Sequence, residues 1–166
     1  MDGTVDLFDL IELGDLANVR LLIQREPRRL HLRSTADWTS GDNPLHAAAG
    51  EGRADIARFF LDVGSRIEDV NESGYTALHR AAQNGHEEVV TLLLQRGARI
   101  EAVTPQGRTA LHLAARYGLT SAVELLLKNG ANPCPVGIGE KRQSRRPSSI
   151  SIFHSQASCS VPLSEL

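Results

Sequence analysis

Leu45, Leu78 and Leu111 are spaced 33 residues apart, and so are His46, His79 and His112. A fixed period of this length marks a stacked-repeat architecture, because each repeat is a unit that cannot bury its apolar face alone. The clearest copy runs from Gly74 to Gln106, GYTALHRAAQNGHEEVVTLLLQRGARIEAVTPQ. The next begins at Gly107, GRTALHLAARYGLTSAVELLLKNGANPCPVGIG, and a weaker one spans Gly41 to Ser73, GDNPLHAAAGEGRADIARFFLDVGSRIEDVNES.

Within each copy the pattern is local physics. Gly41, Gly74 and Gly107 supply the left-handed backbone of a tight turn. Asn43, Thr76 and Thr109 follow two residues on, where their side chains cap a helix N-terminus. Pro44 takes the first helical position, where its missing N–H costs nothing. Leu45, Ala48 and Ala49, with Leu78, Ala81, Ala82 and Leu111, Ala114, Ala115, mark the inner face of a short first helix that Gly52, Gly85 or Gly118 ends. Ile56, Phe60 and Leu61, then Val89, Leu93 and Leu94, then Val123, Leu126 and Leu127 form the apolar stripe of a second helix. Gly64, Gly97 and Gly130 end it, and a polar finger leads to the next turn.

An earlier copy is disguised in Phe8 to Glu26. Aligning Gly14 with Gly52 and Gly85 places Val19, Leu22 and Ile23 on the second-helix stripe. This copy lacks TALH, as expected of an end repeat that faces water on one side. The connection after it is five residues longer than later ones, since Gly14 to Gly52 spans 38 residues and not 33. It carries Arg28, Arg29, His31, Arg33 and Trp38, and connecting loops are where function concentrates.

The pattern G-x-T-A-L-H-x-A-A-x-x-G-x-x-x-x-V-x-x-L-L-x-x-G-A resembles the ankyrin repeat. The resemblance covers Gly41 to Asn132 and, as a divergent cap, Leu7 to Ser40. It implies an all-α solenoid of stacked helix pairs with short β-turn fingers. The units are residues 1–40 as cap and long finger, repeats at 41–73, 74–106 and 107–139, and a basic, Ser-rich tail at 140–166 that reads as disordered. The Asp that usually opens each finger is Trp38, Asn71 or Thr104 here. After Asn132 no further TALH arrives, yet the last repeat keeps an interior-type Leu125-Leu126-Leu127. The tail (Ile150, Ile152, Phe153) covers it, or a partner does, or the chain is a shortened form of a longer array.

Chemistry is sparse. Each recurring histidine follows a capping residue by three, so its imidazole bonds the helix start and the neighbouring turn, and one His per repeat is a structural ladder and not a metal cluster. No G-x-S-x-G, phosphate loop or H-E-x-x-H is present. No enzyme, cofactor or metal is expected. The net charge of −2 gives no ground for nucleic acid as the main partner, and a core with only 4% aromatic residues suits close helix packing better than a large pocket. The two cysteines, Cys134 and Cys159, lie beyond the repeats and fit a reduced setting. No apolar run approaches the roughly 20 residues that cross a bilayer, and the expected location is cytoplasmic, nuclear or both.

What remains is binding. The resemblance implies a concave face of finger tips and first helices that contacts another protein. Carried onto this chain, its variable positions are Thr39, Ser40, Asp42 and Glu51, then Glu72, Ser73, Tyr75, Arg80, Gln83 and Asn84, then Gln106, Arg108, Arg116 and Tyr117. Two Tyr and three Arg lie in its C-terminal half, and the N-terminal half is acidic, so a partner with an acidic or mixed patch over the last two repeats is expected. The function is then that of an adaptor, scaffold or inhibitory subunit. A second reading is a nuclear regulatory protein whose tail, with Lys141, Arg142, Arg145 and Arg146, supplies localisation or anion contact. Arg145-Arg146-Pro147-Ser148 resembles a basophilic kinase site, which makes Ser148 the phosphorylation candidate. Ser164-Glu165-Leu166 resembles a C-terminal PDZ ligand.

Overall fold

The computed structural model of the chain describes residues 6–34 and 41–133. Eight α-helices occupy these segments. Repeat one pairs α1 (Leu7–Leu13) with α2 (Leu16–Arg25), followed by a 3-10 turn at Pro27–His31. Repeat two pairs α3 (Pro44–Gly50) with α4 (Ala54–Val63), repeat three α5 (Ala77–Asn84) with α6 (Glu87–Gln95), and repeat four α7 (Ala110–Arg116) with α8 (Thr120–Lys128). Among the described residues there is no strand and no helix long and apolar enough to cross a membrane. Thr39, Ser40, Trp38, both cysteines, Ser148, the basic patch and the C-terminal triplet lie outside the described residues.

The first helices stack in the order α1, α3, α5, α7, and the second helices in the order α2, α4, α6, α8. Small residues make the first row possible. Ala48, Ala49, Ala81, Ala82 and Ala114 are fully buried, with Leu45 and Leu78 between them. Ile56 and Phe60, then Val89, Val90 and Leu93, fill the second row. The cap joins this core through Leu7, Ile11, Val19 and Ile23, while Leu22 is half-buried. Repeat four departs from the expected stripe. Its buried residues are Ala122 and Leu126, Val123 is half-buried, and Leu127 is 41% exposed. The register explains Ala122, which stands one period after Val89, and no helix pair covers the far side of α8 among the described residues.

The first helices of repeats two, three and four each begin with a reciprocal cap, which α1 lacks. Asn43 Oδ1 accepts from His46 N at 2.9 Å, and His46 Nδ1 accepts from Asn43 N at 3.3 Å. Thr76 N donates to His79 Nδ1 at 3.2 Å, and Thr109 N to His112 Nδ1 at 3.0 Å. With Nδ1 accepting, Nε2 carries the proton and donates across to the next repeat: His46 to Tyr75 O at 2.8 Å and His79 to Arg108 O at 3.1 Å. The ladder therefore fastens repeat two to the finger that leads into repeat three, and repeat three to the finger that leads into repeat four.

Burial pushes both His46 and His79 below the ordinary imidazole range, against the nearby Asp42 charge at His46 and the Arg108 carbonyl at His79. The unfolded chain takes up protons that the folded one refuses. The contribution of these two histidines is therefore fully present above the ordinary imidazole range and is lost as pH drops through it, by up to about 1.4 kcal/mol per pH unit for each, until the folded-state values are passed. Urea unfolding at pH 7.5 and pH 5.5 checks this, and equal midpoints would contradict it.

The fingers are closed by backbone pairs. Asn71 N donates to Tyr75 O at 3.0 Å and Gly74 N to Asn71 O at 2.9 Å; Thr104 N donates to Arg108 O at 2.9 Å and Gly107 N to Thr104 O at 2.7 Å. In the first finger the same two bonds run from Ser34 N to Asp42 O at 2.8 Å and from Gly41 N to Ser34 O at 3.0 Å. Ser34 thus makes the two bonds that Asn71 and Thr104 make in the later fingers. Ser34 and Gly41 are seven positions apart in sequence, against three for Asn71 and Gly74. Gly74 shows why the turn needs glycine: its φ is +76°, and a Cβ there would stand 2.3 Å from Pro105 Cδ.

Candidate partner-binding face

The structure divides the expected contact residues into two groups. One is committed to internal bonds. Asp42 is fully buried and cannot touch a partner. Its Oδ2 lies 2.9 Å from Arg80 Nη2, and its Oδ1 accepts from Asn71 Nδ2 at 2.7 Å. A charge taken out of water persists only if paired and hydrogen-bonded, and Arg80, with 15% of its side chain exposed, supplies the pairing. Asn84 is exposed, yet its Nδ2 reaches back to Gly50 O at 2.7 Å. These three residues tie repeat three to repeat two.

Asn71 is the residue that sequence reasoning undervalued. Its Oδ1 accepts from Tyr75 N at 2.8 Å while its Nδ2 donates to Asp42. The usual Asp at this position would close the finger equally well, but it has no donor and would set a second carboxylate against buried Asp42. The signal was the departure from Asp, read together with an acidic residue one finger earlier.

The second group faces outward. Tyr75 is half-buried, its ring centroid 5.9 Å from that of His79. Arg108 is half-buried, held by its backbone between Thr104 and His79 Nε2. Gln83 Nε2 donates to Tyr117 Oη at 3.1 Å, which steadies a side chain that is 52% exposed. Arg116 is exposed beside it. Neither Arg108 nor Arg116 has a carboxylate partner among the described residues. Arg80 Nε and Gln83 Oε1 are buried without a hydrogen-bond partner among the described residues. Glu51, Glu72, Ser73 and Gln106 are exposed, and Glu72 lies over Gly41.

Tyr75, His79 and Arg108 thus form one linked set, and Gln83 and Tyr117 a second, across α5, the end of α7 and two fingers. His46, His79 and His86 serve this scaffold, His86 by bonding Gly50 O at 2.8 Å. No three His, Cys, Asp or Glu residues gather as metal ligands among the described residues.

Four stacked helix pairs joined by turn fingers, with a histidine clasp between them, define a repeat protein whose work is done by its surface. A family model of ankyrin repeats in three copies matches residues 7–104, and an ankyrin-repeat model matches residues 106–137. The chain belongs to the ankyrin-repeat family, a protein-interaction module. Among characterised proteins it is similar to protein phosphatase 1 regulatory subunit 27 of Homo sapiens, 33% identical over 72 residues, and to the same-named protein of Mus musculus, 32% identical over 72 residues. The matched stretch is 43% of this chain and 44% of each relative, so the chain spans less than half the length of the relatives it matches.

Proposed function

We propose that the chain is a non-catalytic regulatory subunit that holds a protein partner against the fingers and first helices of repeats three and four. The observation that carries this reading is a set of side chains there: the Arg108 and Arg116 guanidiniums, without carboxylate partners among the described residues, beside Tyr75 and the braced, exposed Tyr117. Arg and Tyr dominate interface energetics because each offers a large contact area together with directional donors. Their charge selects a partner segment bearing carboxylates. The name of the relatives supplies the first partner to test, protein phosphatase 1.

Replacing Arg116 and Tyr117 together with alanine is expected to weaken partner binding by about 30-fold or more, the effect of losing one hot spot of 2 kcal/mol. Helicity should stay unchanged, because neither side chain belongs to the core. Calorimetric titration of wild type and variant with the phosphatase, followed by the same pair used as bait in cell extract, separates the two parts of the reading. No binding to the phosphatase by either form removes that partner alone. Equal binding of a partner by both forms removes the face.

A further inference from the structure

The surface that α7 and α8 turn away from repeat three is of a kind buried everywhere else in the array. Ala49 and Ala82 are fully buried, while Ala115, one period on, is exposed. His46 and His79 are buried and His112 is half-buried; Val90 is buried and Val123 is not. The glycines give the sharpest measure. Each glycine between the two helices of a repeat is covered by a side chain of the next: Gly14 by Arg53, Gly52 by His86 and Gly85 by Leu119. At Gly118 nothing stands within 4 Å of the Cβ position among the described residues. Leu127, at 41% exposure, completes an apolar end face built to receive helices.

We propose that this face is occupied by the same face of a second copy of the chain, the two related by a two-fold axis. Two arrangements of copies are available, and charge decides between them. Continuing the stack head to tail would place the α1–α2 end of one copy on α8 of the other. Between α4 and α6 the second-helix contact is the ion pair Asp62–Arg96, at 2.8 Å. By the repeat register, Lys128 holds the Asp62 position in α8, and Arg25 holds the Arg96 position in α2. Head-to-tail stacking therefore sets Lys128 against Arg25, two like charges where the α4–α6 junction has a pair.

The two-fold arrangement has the opposite sign. Glu124 and Lys128 are exposed, four residues apart on α8, and neither joins an ion pair among the described residues. When α8 packs antiparallel on its copy, Glu124 of each copy comes opposite Lys128 of the other, with Leu127 between. A surface that is its own complement is what an isologous dimer requires. The helices involved are only 7 and 9 residues long, so the contact is small and the association weak and concentration-dependent.

Sedimentation velocity of the full chain over a hundredfold concentration range tests this. The mass is expected to rise from 18.0 kDa toward twice that value. Leu127→Glu should hold the chain monomeric. Glu124→Lys and Lys128→Glu should each weaken dimerisation by about tenfold or more through like-charge contact, and together in one chain restore it. Leu21→Glu, at the opposite end, should change nothing. A monomer at every concentration overturns the proposal. So does association that ignores Leu127 or is lost with Leu21→Glu. The same holds for a monomer whose α7 and α8 amides lose exchange protection when residues 134–166 are removed, since the chain's own tail would then be the occupant.

Discussion

Asp42→Ala is expected to lower the unfolding free energy by about 3–5 kcal/mol, the cost of removing one partner from a buried ion pair. The Arg80 guanidinium would keep its place against Gly50, largely out of water, with no carboxylate beside it. Asn71 Nδ2 would lose its acceptor as well. The chain itself suggests the compensating change. Arg80 occupies a position filled by Ala47 in repeat two and by Leu113, fully buried, in repeat four. Asp42→Ala combined with Arg80→Leu should recover most of the loss, because apolar groups of similar volume replace buried ion pairs at little or no cost. Urea unfolding with an unchanged m-value measures both variants. A loss below 1 kcal/mol for the single change would mean that Asp42 is not held as described.

Leu78→Ala is expected to cost about 2–5 kcal/mol, since it empties a site that the fixed neighbours cannot collapse into. Leu78 lies at the junction of α3, α5 and α7, with alanines on both sides whose methyl groups cannot move to fill the gap. The equivalent change at Leu111 should cost less. Leu111 is 8% exposed against 2% for Leu78, and no following helix pair confines it among the described residues. In a one-dimensional stack the central repeat couples to two neighbours and the last to one. Equal losses at the two sites would contradict that asymmetry.

Most of the scaffold could be read in advance because it is written in local rules. The glycine of each turn, the capping Asn or Thr and the histidine three residues on each answer to a backbone geometry or a helix end, so the 33-residue period displays them directly. In repeat four the stripe departs at its first residue, where Ala122 and not Val123 is buried, while Leu126 is buried as the sequence implies. Val123 resembles the valines before it, and only the register places Ala122 inside. The contact residues were harder, since surface position is a property of neighbours that the period does not name. Asp42 and Arg80 look like exposed charges in a linear reading. They meet across 38 residues of chain and become a buried pair. Asn84 and Gln83 likewise have partners 34 residues away. Tyr75, Arg108 and Arg116 are among those that remain once these internal bonds are assigned, together with Glu51, Ser73 and Gln106, and Tyr117 stays 52% exposed in spite of its bond.

The footprint of a bound partner tests the central claim most directly. Hydrogen exchange of the chain, alone and in complex, should show new protection in the peptides containing Tyr75, Arg108, Arg116 and Tyr117, and none on the outward faces of α2, α4 and α6. Protection confined to those second helices, with the fingers of repeats three and four exchanging as in the free chain, would contradict it.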